Sequence, residues 1–205
     1  MSGIVNQTGS RSGVIGTTVG TPTTSASGWI HIATKSISGA SNITINQSDH
    51  ASIFSSSYPL YMVTMNDYSD LASGDSLRLR YEYNGSIQSS TYGYHYTASG
   101  INASASSTGN STSTSDIQLA GDDTQASSGG NRIGHLVLYI NEPDHNTRQL
   151  VQWRMVHHAG AGGDAHGVHG VGVYDGASYP VTGLYFFTNG GNNFTATFKV
   201  FGLSG

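Results

Sequence analysis

Only 10% of this 205-residue chain is charged, against roughly 25% in an ordinary soluble domain, and Ser, Thr, Asn and 28 glycines fill the difference. A formal net charge of −4 without any Lys/Arg cluster excludes the phosphate neutralisation that nucleic-acid binding needs. The lack of cysteine excludes disulfides and thiolate metal sites, and no run approaches the roughly 18 apolar residues of a membrane span, so no membrane insertion is expected.

The length suits one compact domain with an arm to spare. Its surface is built from hydroxyls and amides, which cost less to desolvate than charges and so suit packed assemblies or exposed coats. Residues 1–28 read as an extended arm. Small polar residues dominate there, broken by the apolar pairs Ile4-Val5 and Val14-Ile15, and nothing repeats with helical period. The opening Met-Ser-Gly-Ile-Val-Asn-Gln lacks the basic-then-apolar order of a secretion signal.

From Trp29 the pattern changes to strands, and residues 29–205 are expected to form a β-sandwich domain. Residues 29–33 and 42–45 are short strand candidates, and 60–65 reads as a buried strand. Residues 76–83 alternate cleanly, which places Leu77, Leu79, Tyr81 and Tyr83 on one face and the charges on the other. Asn84-Gly85 follows at once and accepts the positive φ of a type I′ turn, predicting a hairpin into 86–88 and on to 92–96. Residues 97–131, rich in Ser, Gly, Asn and Thr, read as long surface loops with one short strand at 117–119. Strands return at 133–140 and 150–156, separated by turn chemistry at 141–146. Residues 157–170 read as a Gly-rich loop, and Gly170-Val171-Gly172-Val173 as strand or loop with close backbone approach. The last strands, 184–187 and 194–200, are joined by the hairpin signal Asn189-Gly190-Gly191-Asn192. About ten strands and no helical periodicity predict an all-β, two-sheet antiparallel sandwich, jelly-roll-like in its strand number and long loops.

Chemistry concentrates in residues 157–169, where four histidines and one carboxylate fall together. Imidazole is the commonest side-chain metal ligand, so His157, His158, Asp164, His166 and His169 are candidate ligands, one histidine per subunit sufficing around a three-fold axis. The alternative is a loop whose histidines bond neighbours or water. No carboxylate pair, nucleophile elbow or phosphate loop stands out, so neither catalysis nor a cofactor is expected. Twelve tyrosines among many Asn and Asp residues suggest glycan contact. Tyr92, Tyr94 and Tyr96 share one strand face, and with Trp153 they are candidate platforms on which a sugar ring packs. They equally suit a covered sheet or a subunit interface.

The opening, Ser2-Gly3-Ile4-Val5-Asn6-Gln7-Thr8-Gly9-Ser10-Arg11-Ser12-Gly13-Val14-Ile15-Gly16, resembles the starts of structural proteins of tailed phages, marine phages in particular. The ending, Phe198-Lys199-Val200-Phe201-Gly202-Leu203-Ser204-Gly205, is similar in style to theirs. Those proteins include capsid decoration or cement proteins, head fibres and tail fibres, many of them trimers. The resemblance implies a virion protein on the particle exterior, a homotrimer attached to the major capsid protein or another virion protein. Its arm would be anchored by Ile4, Val5, Val14 and Ile15, with Arg11 on an acidic partner. The alternative is a receptor-binding fibre module that takes host surface glycan.

Overall fold

Residues 28–70, 76–100, 106–120, 134–141, 143, 148–158, 165–176 and 180–204 are described in a computed structural model, and every regular element among them is a strand. The expected arm, with Ile4, Val5, Arg11, Val14 and Ile15, lies outside the described residues. Eight strands form a rolled ribbon. In chain order they are β1 (Gly28–Ala40), β2 (Asn42–Asn46), β3 (Leu60–Asp70), β4 (Leu77–Tyr83), β8 (Ile117–Gln118), β9 (Gly134–Asn141), β12 (Gly183–Thr188) and β13 (Phe194–Ser204). The first pairs with the last, β1 with β13, and the pattern continues inward as β2 with β12, β3 with β9 and β4 with β8. Rolling this ribbon adds the pairs β13 with β3 and β12 with β4, which makes the two sheets of a jelly roll.

Two insertions enlarge one sheet. Between β4 and β8 come β5 (Ser86–Ile87), β6 (Tyr92–Gly100) and β7 (Ser106–Thr114); between β9 and β12 come β10 (Gln149–His158) and β11 (Ala165–Tyr174). The larger sheet then runs β1-β13-β3-β9-β10-β11-β6-β7, and the smaller β2-β12-β4-β5 with β8 on β4.

Alternation decides which side chains meet between the sheets. Leu77, Leu79 and Tyr81 are buried as their spacing predicts, while Arg78 and Arg80 turn outward. Phe186 of the smaller sheet meets Phe198 of the larger with ring centroids 4.7 Å apart. The Asn84-Gly85 turn has φ of 44° and 79°, the left-handed pair that a type I′ hairpin requires. The hairpin closes only β4 on β5; β6 crosses to the other sheet.

Three sequence expectations are corrected. Residues 97–131 are not simply loop, because β6 extends to Gly100 and β7 pairs along it. A Ser/Thr strand at the sheet edge has no apolar face and hence no alternation to read. Residues 157–170 likewise hold the end of β10 and the start of β11. The Asn189–Asn192 turn joins β12 and β13 of different sheets, so it carries the chain across the sandwich and closes no hairpin.

The inserted strands need cover, and Trp153 supplies it. Its indole is fully buried, donates from Nε1 to the Leu119 carbonyl at 2.8 Å, and lies over Gly170, where a Cβ would stand inside the ring. Trp153→Ala is expected to cost about 3–5 kcal/mol, the range for deleting a large buried aromatic. Gly170→Leu should destabilise comparably by overpacking, and chemical denaturation of both variants measures this.

Candidate functional site: the solvent face of the larger sheet

The strand period sorts the predicted site residues into inward and outward sets. Tyr92 and Tyr96 are buried, Tyr94 is half-buried, and all three face the interior. Tyr94 donates to Gln118 Oε1 at 3.0 Å, while the Tyr96 ring covers Gly109 and stacks beside Tyr94 at 6.2 Å. With Trp153 also buried, Tyr92, Tyr96 and Trp153 are core and offer no platform to a sugar, and Tyr94 is partly buried against that core. Their shared face was legible, but alternation does not say whether a face looks in or out.

The proposed metal ligands are divided in the same way. His157 and His166 are cross-strand partners facing inward, their rings stacked with centroids 5.3 Å apart and planes 11° from parallel. His169, three residues on in the same strand, falls on the opposite face, where it shares a 3.2 Å hydrogen bond with Thr97 Oγ1. His158 lies on β10 opposite Ala165, its side chain outside the described set, as is Asp164. Among the described residues no three His, Cys, Asp or Glu groups are gathered for a metal.

The groups displaced most clearly from their ordinary acidity are three tyrosines of the interior. Burial, with the Tyr92 phenol beside it, pushes Tyr81 far above its usual 10.0; burial likewise raises Tyr92 and Tyr174. Tyr92 Oη accepts from the Tyr81 amide at 2.8 Å and donates to the Gln88 carbonyl at 3.2 Å, which satisfies a β4 amide where the short β5 leaves off. Such phenols hold the insertion against the sandwich and stay neutral.

The solvent face of the larger sheet has a different character. One complete row of cross-strand neighbours reads His31, Phe201, Met62, Tyr139, Gln152, Val171, His95, Asn110. The next reads Thr34, Lys199, Thr64, Val137, Arg154, His169, Thr97, Thr108. At the β1 flank the Trp29 indole reaches across to within 6.0 Å of the Tyr139 ring, and Phe201 packs edge-on to His31 at 5.4 Å. At the other flank a groove of about 580 Å³ crosses β10, β11 and β6. Its outward-facing lining includes Arg154, Gln152, His169, His95, Thr97 and Ser99, with Val156 and Val171 as apolar walls and Gly167 leaving the backbone bare.

Charge is distributed unevenly. Lys35 pairs with Asp49 at 2.7 Å, Arg78 and Arg80 with Asp116 at 2.9 and 3.5 Å, and Arg148 with Asp175 at 2.7 Å. Arg80 also lies over the Phe187 ring, 4.6 Å from its centroid, so the outer face of the smaller sheet is largely self-satisfied. Arg154 and Lys199 are the described basic side chains outside these ion pairs, and both stand in one row of the larger sheet's solvent face. The strands β6, β7, β9, β10 and β11 contain no Asp or Glu at all. Among the described residues, a chain that is acidic overall thus keeps these five strands free of carboxylates. Composition hid this, because a single unpaired arginine makes no cluster in the sequence.

No protein-family model, curated protein or solved structure matches the chain.

The tyrosine cluster makes a pH prediction. With folded-state values above 10.0, Tyr81 and Tyr92 bind their protons more tightly folded than unfolded. Their stability contribution is complete below the unfolded value and is lost as pH rises from there towards the folded one. Ultraviolet titration should show these phenols ionising only together with loss of the β circular dichroism signal. Tyr92→Phe, which strands the buried Tyr81 amide, should cost about 1–3 kcal/mol. Tyr81→Phe removes a buried hydroxyl that has no hydrogen-bond partner among the described residues, and should be neutral or stabilising by about 1 kcal/mol.

Proposed function

We propose that this chain is a non-enzymatic structural protein of a phage virion, a capsid decoration or cement protein on the particle exterior. In this reading it is a homotrimer that binds and stabilises the shell of major capsid protein through its N-terminal segment. The observation that carries the reading is the apolar corner where residues 1–27 join the described fold. Trp29 is 40% exposed at the start of β1, with His31 exposed and Phe201, Met62 and Tyr139 only half-covered on the same face, and Ile30 on the opposite face of the strand is 43% exposed. Large apolar side chains left in water at one corner mark a surface that is covered in an assembly. In this reading the apolar pairs Ile4-Val5 and Val14-Ile15 of the preceding segment bind the shell together with this corner.

A second observation favours a second reading: a groove crosses β10, β11 and β6 on the solvent face of the larger sheet. In that reading the chain is a receptor-binding module of a fibre or tail tip and the groove takes host surface glycan.

Deleting residues 2–20, or substituting Trp29→Asp, is expected to leave circular dichroism unchanged while abolishing incorporation into particles. Wild-type occupancy by both variants would refute the anchoring role. Copy number per particle separates the readings, since hundreds of copies mean decoration and a few dozen or fewer mean a fibre or tail.

A further inference from the structure

We infer that the groove across β10, β11 and β6 is a binding site for an acidic saccharide, a sugar chain whose ring carboxylate is held by Arg154. The inference rests on the glycan-binding reading above and adds the chemical class of ligand and the residue that selects it.

Charge is the first ground. Arg154 stands in the groove without an ion pair among the described residues, on strands that contain no Asp or Glu. Every other described arginine has been given a carboxylate. A planar guanidinium presents paired N–H donors that match a carboxylate, and no carboxylate among the described residues pairs with it. By register Arg154 lies between Val137 and His169. The positive charge therefore faces solvent from inside a concave surface, which is where an anionic ligand gains most from it.

The rest of the lining narrows the anion to a sugar. His169 and Thr97 are already joined at 3.2 Å, and His95 sits two residues along the same face of β6. Imidazoles and hydroxyls both give and take hydrogen bonds, as the hydroxyls of a sugar do. Val156 and Val171, 56% and 54% exposed, supply apolar walls against which the C–H face of a ring can pack. Nucleic acid does not fit, because a single fixed cation in the groove neutralises only one phosphate. An extended acidic peptide does not fit either: the groove crosses the faces of three paired strands, whereas strand addition needs a free edge.

Gly167 provides a way to block the site without touching the core. It is outward-facing, and a Cβ there would meet nothing within 4 Å. A side chain added at this position projects into the groove alone.

The test is binding of the full chain to an array of uronic-acid and sialic-acid oligosaccharides, their carboxyl-reduced neutral counterparts, and sulfated neutral sugars. Expected is binding to the carboxylated members, weakened by added salt and lost on carboxyl reduction. Arg154→Gln should lower affinity about tenfold to a hundredfold, the worth of a hydrogen bond to a charged group. Gly167→Leu should lower it at least as much, with both variants melting like the wild type. Equal binding of neutral and acidic sugars, or wild-type affinity in R154Q, would overturn the carboxylate assignment while leaving the glycan reading standing. Preference for sulfated over carboxylated sugars would also overturn it. Silence across the whole array would overturn both.

Discussion

Burial of the Trp153 indole between Gly170 and the Leu119 carbonyl is the interaction on which the enlarged sheet depends. An eight-strand ribbon rolls into two sheets of four, and each sheet covers the other. Here the larger sheet continues for four more strands, β10, β11, β6 and β7, while the smaller adds only the two-residue β5. Their inner face would be wet unless something filled the space beneath β8. Trp153 fills it, with its one polar atom satisfied by the segment that closes over it. Next to it Ile117 packs where a Cβ at Gly172 would stand, so β11 gives up side chains at two inward positions to make room. The tyrosine cluster closes the far end, where Tyr92 stacks at 6.1 Å from Tyr81 and 4.9 Å from Tyr174.

This packing explains which parts of the fold were legible in the sequence. β4 was readable through Leu77, Leu79 and Tyr81, whose inward positions carry large apolar side chains, but not at its end, where Glu82 is buried on Asn46 and Tyr83 is half-buried. β9 was readable as a strand at 133–140, and β10 as a strand at 150–156 but not in its facing, because Leu150 and Val156 stand exposed while Gln149 and His157 are buried. β11 was obscured by the packing itself: its inward side chains at 170 and 172 are glycines because Trp153 and Ile117 occupy their volume, and glycine alternation resembles a loop. β7 was obscured differently. It is an edge strand of Ser, Thr, Asn and Gly, held by backbone pairing to β6, and backbone pairing leaves no mark in side-chain composition.

The candidate sites failed or survived by the same geometry. A cluster of histidines counted along the chain assumes that neighbours in sequence are neighbours in space. In a strand that holds for residues two apart and fails for residues three apart, so His166 and His169 end on opposite faces of one sheet. The aromatic row failed in the other direction. Tyr92, Tyr94 and Tyr96 do share a face, but the hydrophobic effect turns three adjacent rings towards the interior wherever an interior is available. The groove that took their place was invisible for a third reason. Its residues come from three strands brought together only by pairing, and its one arginine stands out only when every other described arginine is seen to be paired.

Low charge therefore has a structural meaning in this chain. With so few ionic groups, and most of the described ones spent in local pairs, an unpaired cation is a rare feature of the described surface. Arg154 and Lys199 share a row but stand three strands apart, roughly 14 Å at the spacing of paired strands. Beyond a Debye length of about 8 Å in physiological salt, they act separately. Each is thus a single-charge feature, unlike the basic tracts that bind polyanions indiscriminately. On the proposed acidic-saccharide reading, the neutral hydroxyl and amide surface around them is what would let one guanidinium discriminate, since the electrostatic signal lies in the contrast between that site and its surroundings.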